Sequence, residues 1–173
     1  MGTHRTETLE LRGGRTVALD ICAVGLFEDE LREAVIRLKY RNERRLAQVL
    51  AGLMPACVPP SVDVITWAPT SARRKTERGY DQAELIARHL SSRTGVPWSR
   101  LLRRLDGAGQ TGRSREERLA APRFVAAPST AGRNVCVVDD VVTTGATIRA
   151  AAGALLVASA ASVCGACVAT VNS

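Results

Sequence analysis

Aromatic side chains make up only 3% of the 173 residues, too few to build the stacking platforms on which single-stranded nucleic acids are bound. Lysine is nearly missing: of 24 basic residues, only Lys39 and Lys75 are lysines. No apolar run approaches the ~20 residues that span a bilayer, and Met1 to Arg15 lacks the apolar stretch of a secretory signal. The expected compartment is therefore the cytoplasm, with no membrane partner. The five cysteines, Cys22, Cys57, Cys136, Cys164 and Cys167, are odd in number, a poor disulfide framework without a signal peptide. Cys164 and Cys167 have the C-x-x-C spacing of zinc and redox sites, but His4 and His89 are isolated and no second pair lies nearby. Their segment reads as a strand, where residues three apart face opposite sides, so the converging ligands of a metal site are not expected there.

What remains is 46% hydrophobic and 24% charged with a net charge of +7. That is too apolar for a disordered chain. The length suits one domain, residues 1–173, with its own core. The arginine excess fits either base composition of the genome or an anionic partner.

Apolar spacing orders the chain. Thr16 to Ile21 reads as a strand. Leu31, Ala34, Val35 and Leu38 predict an amphipathic helix over Asp29–Tyr40, and Leu46, Val49, Leu50 and Leu53 a second one. Val62 to Trp67 reads as a buried strand, followed by a polar loop from Pro69 to Gly79. Asp81 with Glu84 three residues on resembles a capping arrangement; the helix it opens runs to about Arg93, before Gly95 and Pro97. Arg100 to Leu105 is ambiguous between strand and helix, and Asp106 to Pro122 reads as a mobile, arginine-rich loop. Val135 to Val138 is a β-branched run, Gly145 to Ala158 an alanine-rich helix, and Ser162 to Val171 a closing strand. Strands separated by helices imply a mostly parallel sheet covered on both faces.

The most informative stretch is V-C-V-V-D-D-V-V-T-T-G-A-T, Val135 to Thr147. A buried strand delivers Asp139 and Asp140 to its carboxyl end, where ligands of open α/β sheets bind. The following turn leads into a helix, whose N-terminus offers free N–H groups to an anion. Gly145 lets the backbone approach closely, and Thr143, Thr144 and Thr147 add hydroxyls. Nothing in this stretch is basic, so backbone and hydroxyl groups are expected to carry the phosphate. Paired carboxylates accept two hydrogen bonds from a vicinal diol and suit Mg²⁺ among phosphates and waters. Plain helix capping and a receiver-type acid pair are the other readings. The ligand reading requires that the acids face a cavity, not an internal salt bridge.

This stretch resembles the phosphoribosyl pyrophosphate (PRPP) motif of the type I phosphoribosyltransferases. PRPP chemistry expels pyrophosphate, so a cation clamp is required. Two arginine clusters offer one: Ser71, Arg73 and Arg74, and Arg113, Arg115 and Arg118 in the Asp106–Pro122 loop. Arginine forks match phosphate oxygens. The blocks R-G-Y-D-Q (Arg78 to Gln82) and Q-T-G-R-S-R-E-E-R (Gln110 to Arg118), with Leu38-Lys39-Tyr40, resemble the ComF-like phosphoribosyltransferases, bacterial proteins named for a role in DNA uptake. The likeness spans Ala18 to Val171. Many of those proteins begin with a four-cysteine zinc ribbon; here only Cys22 precedes the first helix, so no zinc ribbon is expected.

The resemblance implies an α/β type I phosphoribosyltransferase fold: a mostly parallel central sheet flanked by helices, a mobile lid loop and a small hood. It implies PRPP and Mg²⁺, with pyrophosphate released and phosphoribosyl moved to an unidentified nitrogenous acceptor. Thr143, Thr144, Gly145, Ala146 and Thr147 would hold the 5-phosphate. Ser71, Arg73 and Arg74 would hold the pyrophosphate. Asp139 and Asp140 would hold the ribose hydroxyls and, directly or through water, Mg²⁺; Arg113, Arg115 and Arg118 would close the lid. Type I relatives often carry a strained non-proline cis peptide in the pyrophosphate loop; any such bond is expected between Trp67 and Ser71, where Ala68–Pro69 could be cis at lower cost. Tyr40, Tyr80 and Trp98 are the aromatics that could meet the acceptor. A PRPP-binding regulator, a competence accessory touching the DNA-uptake machinery, and a homodimer are compatible with the same resemblance.

Overall fold

The computed structural model describes residues 2–11, 13–105 and 122–171. Its centre is strand β6, Asn134–Val142, flanked in parallel by β7, Ser162–Thr170, on one side and β3, Val64–Trp67, on the other. Beyond β7 lies β2, Thr16–Leu26, also parallel, and outermost β1, Thr3–Glu10, antiparallel to β2. The order is thus β1-β2-β7-β6-β3, the expected mostly parallel α/β sheet. A separate antiparallel ribbon joins β4, Leu102–Leu105, to β5, Arg123–Ala126, which resolves the ambiguous Arg100–Leu105 stretch as strand.

Strand alternation explains why β6 is apolar without a break. Val135 and Val137 pack on one face with Ile148, Ala151, Ala152 and Leu155 of helix α5, Ala146–Val157. Cys136 and Val138 pack on the other with helices α1 (Asp29–Tyr40), α2 (Arg45–Gly52) and α4 (Gln82–Thr94), through Leu38, Leu50, Ile86 and Leu90. Among the described residues no helix is long and apolar enough to cross a membrane.

Four readings of the sequence are corrected. The polar loop Pro69–Gly79 contains a two-turn helix, α3, Ala72–Arg78, capped by the Ser71 hydroxyl and ended by Gly79 in the left-handed conformation at φ 75°. Its side chains are all at least partly exposed, so no apolar stripe announced it. The polar start of the chain forms β1 because its polar side chains line a sheet edge, with Leu9 alone buried in the core. Cys22 of β2 and Cys57 are joined by a disulfide, although the cysteine count argued against a framework; the sheet brings together two positions 35 residues apart. No peptide among the described residues is cis; the Trp67–Ser71 stretch is trans throughout, the lower-energy isomer. Cys164 and Cys167 do part to opposite faces of β7, each in a different core cluster.

Asp81 ties α4 to the loop after β3. Its Oδ1 accepts from the N–H groups of Ala83 (3.1 Å) and Glu84 (3.4 Å), and its Oδ2 from the N–H of Thr70 (2.9 Å). Losing an N-cap costs about 1 kcal/mol, and stranding the Thr70 donor about 1–3 kcal/mol more. Asp81→Ala should therefore lower unfolding stability by about 2–4 kcal/mol, read by urea titration. Burial holds the Asp81 carboxyl above its ordinary range. The folded state thus keeps a proton that the unfolded chain releases near pH 4. This contribution is fully present in acid and lost as pH rises through the folded pKa. Asp81→Asn keeps a capping oxygen and should flatten that part of the stability profile.

Candidate phosphate and sugar site

Strand β6 ends in the two acids. Although strand alternation turns successive side chains apart, at this strand end Asp139 and Asp140 both border one cavity. Asp140, 4% exposed, points toward α1, where its Oδ1 lies 2.9 Å from Nζ of Lys39. Its Oδ2 is buried and meets no donor among the described residues. Asp139 accepts from the N–H of Asp140 at 2.8 Å. Burial, then the neighbouring Asp140 charge, push its carboxyl up to about 8, against the pull of Lys39.

Both acids line a cavity of about 240 Å³ between β6, α1 and the segment after β3. Lys39, Arg74, Arg78 and Arg104 line it too, with Thr70 and Thr147. The acids thus face a cavity, as the ligand reading requires, but Asp140 also forms the internal salt bridge that the same reading excludes. Arg74 has no side-chain partner among the described residues. Arg78 donates to Oε1 of Gln82 at 2.9 Å and lies over the Tyr40 ring at 5.1 Å. A second depression of about 330 Å³ continues outward past Lys39, Arg74 and Arg78 to Tyr40 and Asn42.

The turn from Thr143 to Thr147 encloses a small cradle of about 30 Å³, with Asp139 at its rim. Gly145 stands at the N-cap of α5 with φ 74°, so the glycine is required by the turn. The Thr144 hydroxyl accepts from the N–H of Ala146 at 3.4 Å. Basic groups from outside the Val135–Thr147 stretch reach this turn: Arg149 Nη1 donates to the Thr144 carbonyl at 2.8 Å, and Arg5 Nη1 to the Thr143 carbonyl at 3.2 Å. Arg5 comes from β1, the strand the sequence reading missed.

The other nominated residues are placed as follows. Ser71 spends its hydroxyl on the N–H of Arg74, capping α3. Arg73 is held by Glu77 at 2.7 Å on the exposed side of α3, away from the cavity, while Arg74 faces it. Arg113, Arg115 and Arg118 lie outside the described residues. Tyr80 is buried, with its hydroxyl donating to the Leu38 carbonyl, and Trp98 packs against Trp67. Lys39, Arg78 and Arg104 were not singled out from sequence as site residues. Lys39 carried a signal as one of only two lysines, and Arg78 as the first residue of R-G-Y-D-Q.

The donor set fits a magnesium ion that shares its shell with substrate: two carboxylates at one strand end, one with an orphaned buried oxygen. Among the described residues no cluster of three or more His, Cys, Asp or Glu side chains could hold a metal without other ligands.

Residues 77–173 match the family model described as the phosphoribosyl transferase domain. The chain is 30% identical over 160 residues to the competence protein ComFC of Bacillus subtilis (strain 168), covering 89% of this chain and 62% of that protein. Two solved structures are similar in part. One is titled as the allosteric regulatory enzyme of purine biosynthesis: TM-score 0.46, 23% identity, 72% of this chain and 24% of that one. The other is a glutamine PRPP amidotransferase from B. subtilis complexed with ADP and GMP: TM-score 0.47, 24% identity, 70% and 25%.

Proposed function

The chain belongs to the phosphoribosyl transferase domain family, in its ComF-like branch, and from that premise we propose that it binds PRPP and transfers its phosphoribosyl group to a nitrogenous acceptor. The observation that carries this reading is a cavity where two strand-end acids and four cations meet, sharing Asp139 and Thr147 with the adjoining cradle of the threonine turn. The N–H groups and hydroxyls of Thr143, Thr144, Gly145, Ala146 and Thr147 suit the 5-phosphate. Asp139 and Asp140 suit the ribose hydroxyls, whose donors would satisfy the orphaned Asp140 oxygen.

In the transfer, the C1–O bond breaks as the acceptor nitrogen forms its bond to C1. The electron pair leaves with pyrophosphate, and the acceptor loses a proton. Negative charge therefore grows on the leaving oxygens. Arg74, Arg78 and Arg104 face the cavity where that charge would sit and would stabilise it in place. Ser71, through its cap on α3, holds Arg74 in that position, and Arg73 reaches the pyrophosphate only by leaving Glu77. Arg113, Arg115 and Arg118 would complete the clamp from the lid and exclude water. Magnesium, held by Asp139 and Asp140, would supply further charge neutralisation when bound.

Release of pyrophosphate from PRPP with Mg²⁺ and a panel of nucleobases and amines tests the reading. Turnover with any acceptor that depends on Arg74 supports transfer. PRPP binding with no release by any acceptor supports a second reading, a PRPP-responsive regulator or competence accessory. The Lys39–Asp140 pair favours that reading, because a ligand must share or displace a lysine already in place. A contact with DNA-uptake machinery belongs to either reading, through the competence name of the relative.

A further inference from the structure

The phosphate turn is held from behind by the far end of the chain. Glu7 of β1, whose side chain is 10% exposed, forms ion pairs with Arg5 (2.6 Å) and with Arg149 of α5. The same two guanidinium groups donate to the carbonyls of Thr143 and Thr144. Glu7 also fills the space beside Gly145: a Cβ there would stand 2.8 Å from its Oε1 and 2.9 Å from Nη1 of Arg149. Neither Arg5, Glu7 nor Arg149 lines the cradle. The two carbonyls therefore face groups that lie outside the cradle.

A trans peptide is planar, with its C=O and N–H antiparallel. Fixing the Thr143 carbonyl outward turns the Thr144 N–H inward, and fixing the Thr144 carbonyl does the same for the Gly145 N–H. Among the described residues no acceptor meets either N–H. Successive N–H groups aimed into one concavity form an anion nest. We propose that Glu7 is a positioning residue for the phosphate turn. By clamping Arg5 and Arg149 against the Thr143 and Thr144 carbonyls, it presents the N–H groups of Thr144 and Gly145 to an incoming phosphate. This rests on the PRPP reading for the identity of the anion, and on geometry alone for the brace. Residues 5 and 7 lie outside the family match, which begins at residue 77, so the brace joins the family domain to a segment before it.

Charge and positioning predict opposite signs, which makes the test sharp. Glu7→Gln raises the local formal charge, so simple attraction would tighten an anion. Loss of the brace frees two mutually repelling guanidinium groups and loosens it. The expected result for Glu7→Gln is about a tenfold weaker Kd for Mg²⁺–PRPP by calorimetry, about 1.4 kcal/mol. In the ligand-free protein, ¹⁵N order parameters of the Thr144 and Gly145 amides should fall from the rigid range toward below about 0.6. Equal or tighter binding, or unchanged order parameters, overturns the proposal. If the parent protein binds no PRPP, the function fails, and the order parameters still decide the brace. If Glu7→Gln does not fold, Arg5→Gln, at a third-exposed position, replaces it and must loosen the Thr144 amide and weaken binding, or the proposal is wrong.

Discussion

Replacing Asp139 and Asp140 together by asparagine is expected to abolish Mg²⁺-dependent PRPP binding, with at least a hundredfold loss of affinity by calorimetry. The change is nearly isosteric, so the strand and the cavity wall stay in place, but both carboxylates are lost. A hydrogen bond to a charged group is worth about 1.5–3 kcal/mol, and two of them make the hundredfold figure a lower bound. Asparagine also brings an N–H₂ donor to positions where ribose hydroxyls must donate. Inorganic phosphate supplies the control. On the proposed reading the Thr143–Thr147 cradle would recognise it through N–H groups and hydroxyls, and of the two acids only Asp139 lines that cradle, so phosphate binding should survive within a few-fold. Unchanged PRPP affinity would show the acids to be helix-end structure and remove the sugar from the site. Loss of phosphate and PRPP together would show only that the turn had collapsed.

The parts of this site that were legible in the sequence are those written in one continuous run. Val135 to Thr147 holds strand, acids, turn and helix start in thirteen consecutive residues, and each has a local signature: β-branching, charge at a strand end, hydroxyls, and a glycine at positive φ. The same holds for the α4 start, where Asp81 caps Ala83 and Glu84. What could not be read is what tertiary contact alone assembles. Arg5 meets Thr143 across 138 positions, and Glu7 meets Arg149 across 142; the residues of β1 are almost all polar, so no apolar pattern marked them as a strand. Helix α3 was invisible for a related reason: Ala72 to Arg78 buries no side chain, and periodicity detects only a helix that hides one face. Arg73 and Arg74 were equivalent as letters. The helix separates them by about 100°, giving one to Glu77 and the other to the cavity.

Lys39 is the residue whose loss should cost the fold most for one side chain in the site. Its Nζ is 2.9 Å from Asp140, and the two side chains are 20% and 5% exposed. Lys39→Met keeps most of the aliphatic stem and deletes the charge, leaving a nearly buried carboxylate with no counter-ion and one oxygen already without a donor. Breaking a buried pair from one side costs about 3–5 kcal/mol. Because this pair borders a cavity that admits water, the lower end applies, and the melting temperature should drop by roughly 5–10 °C. Asp140→Asn strands only a lysine with a path to solvent and should cost much less. The double variant should recover most of the loss, giving a coupling energy of about 2 kcal/mol in a mutant cycle. The same pair makes stability report on the ligand. Any diol or cation that engages Asp140 supplies the neutralisation Lys39 gave, so Mg²⁺–PRPP should raise the melting temperature of Lys39→Met more than that of the parent. If Lys39→Met melts within a degree of the parent, the pair carries no weight in solution, and Asp140 stands as free for a sugar as the sequence alone suggested.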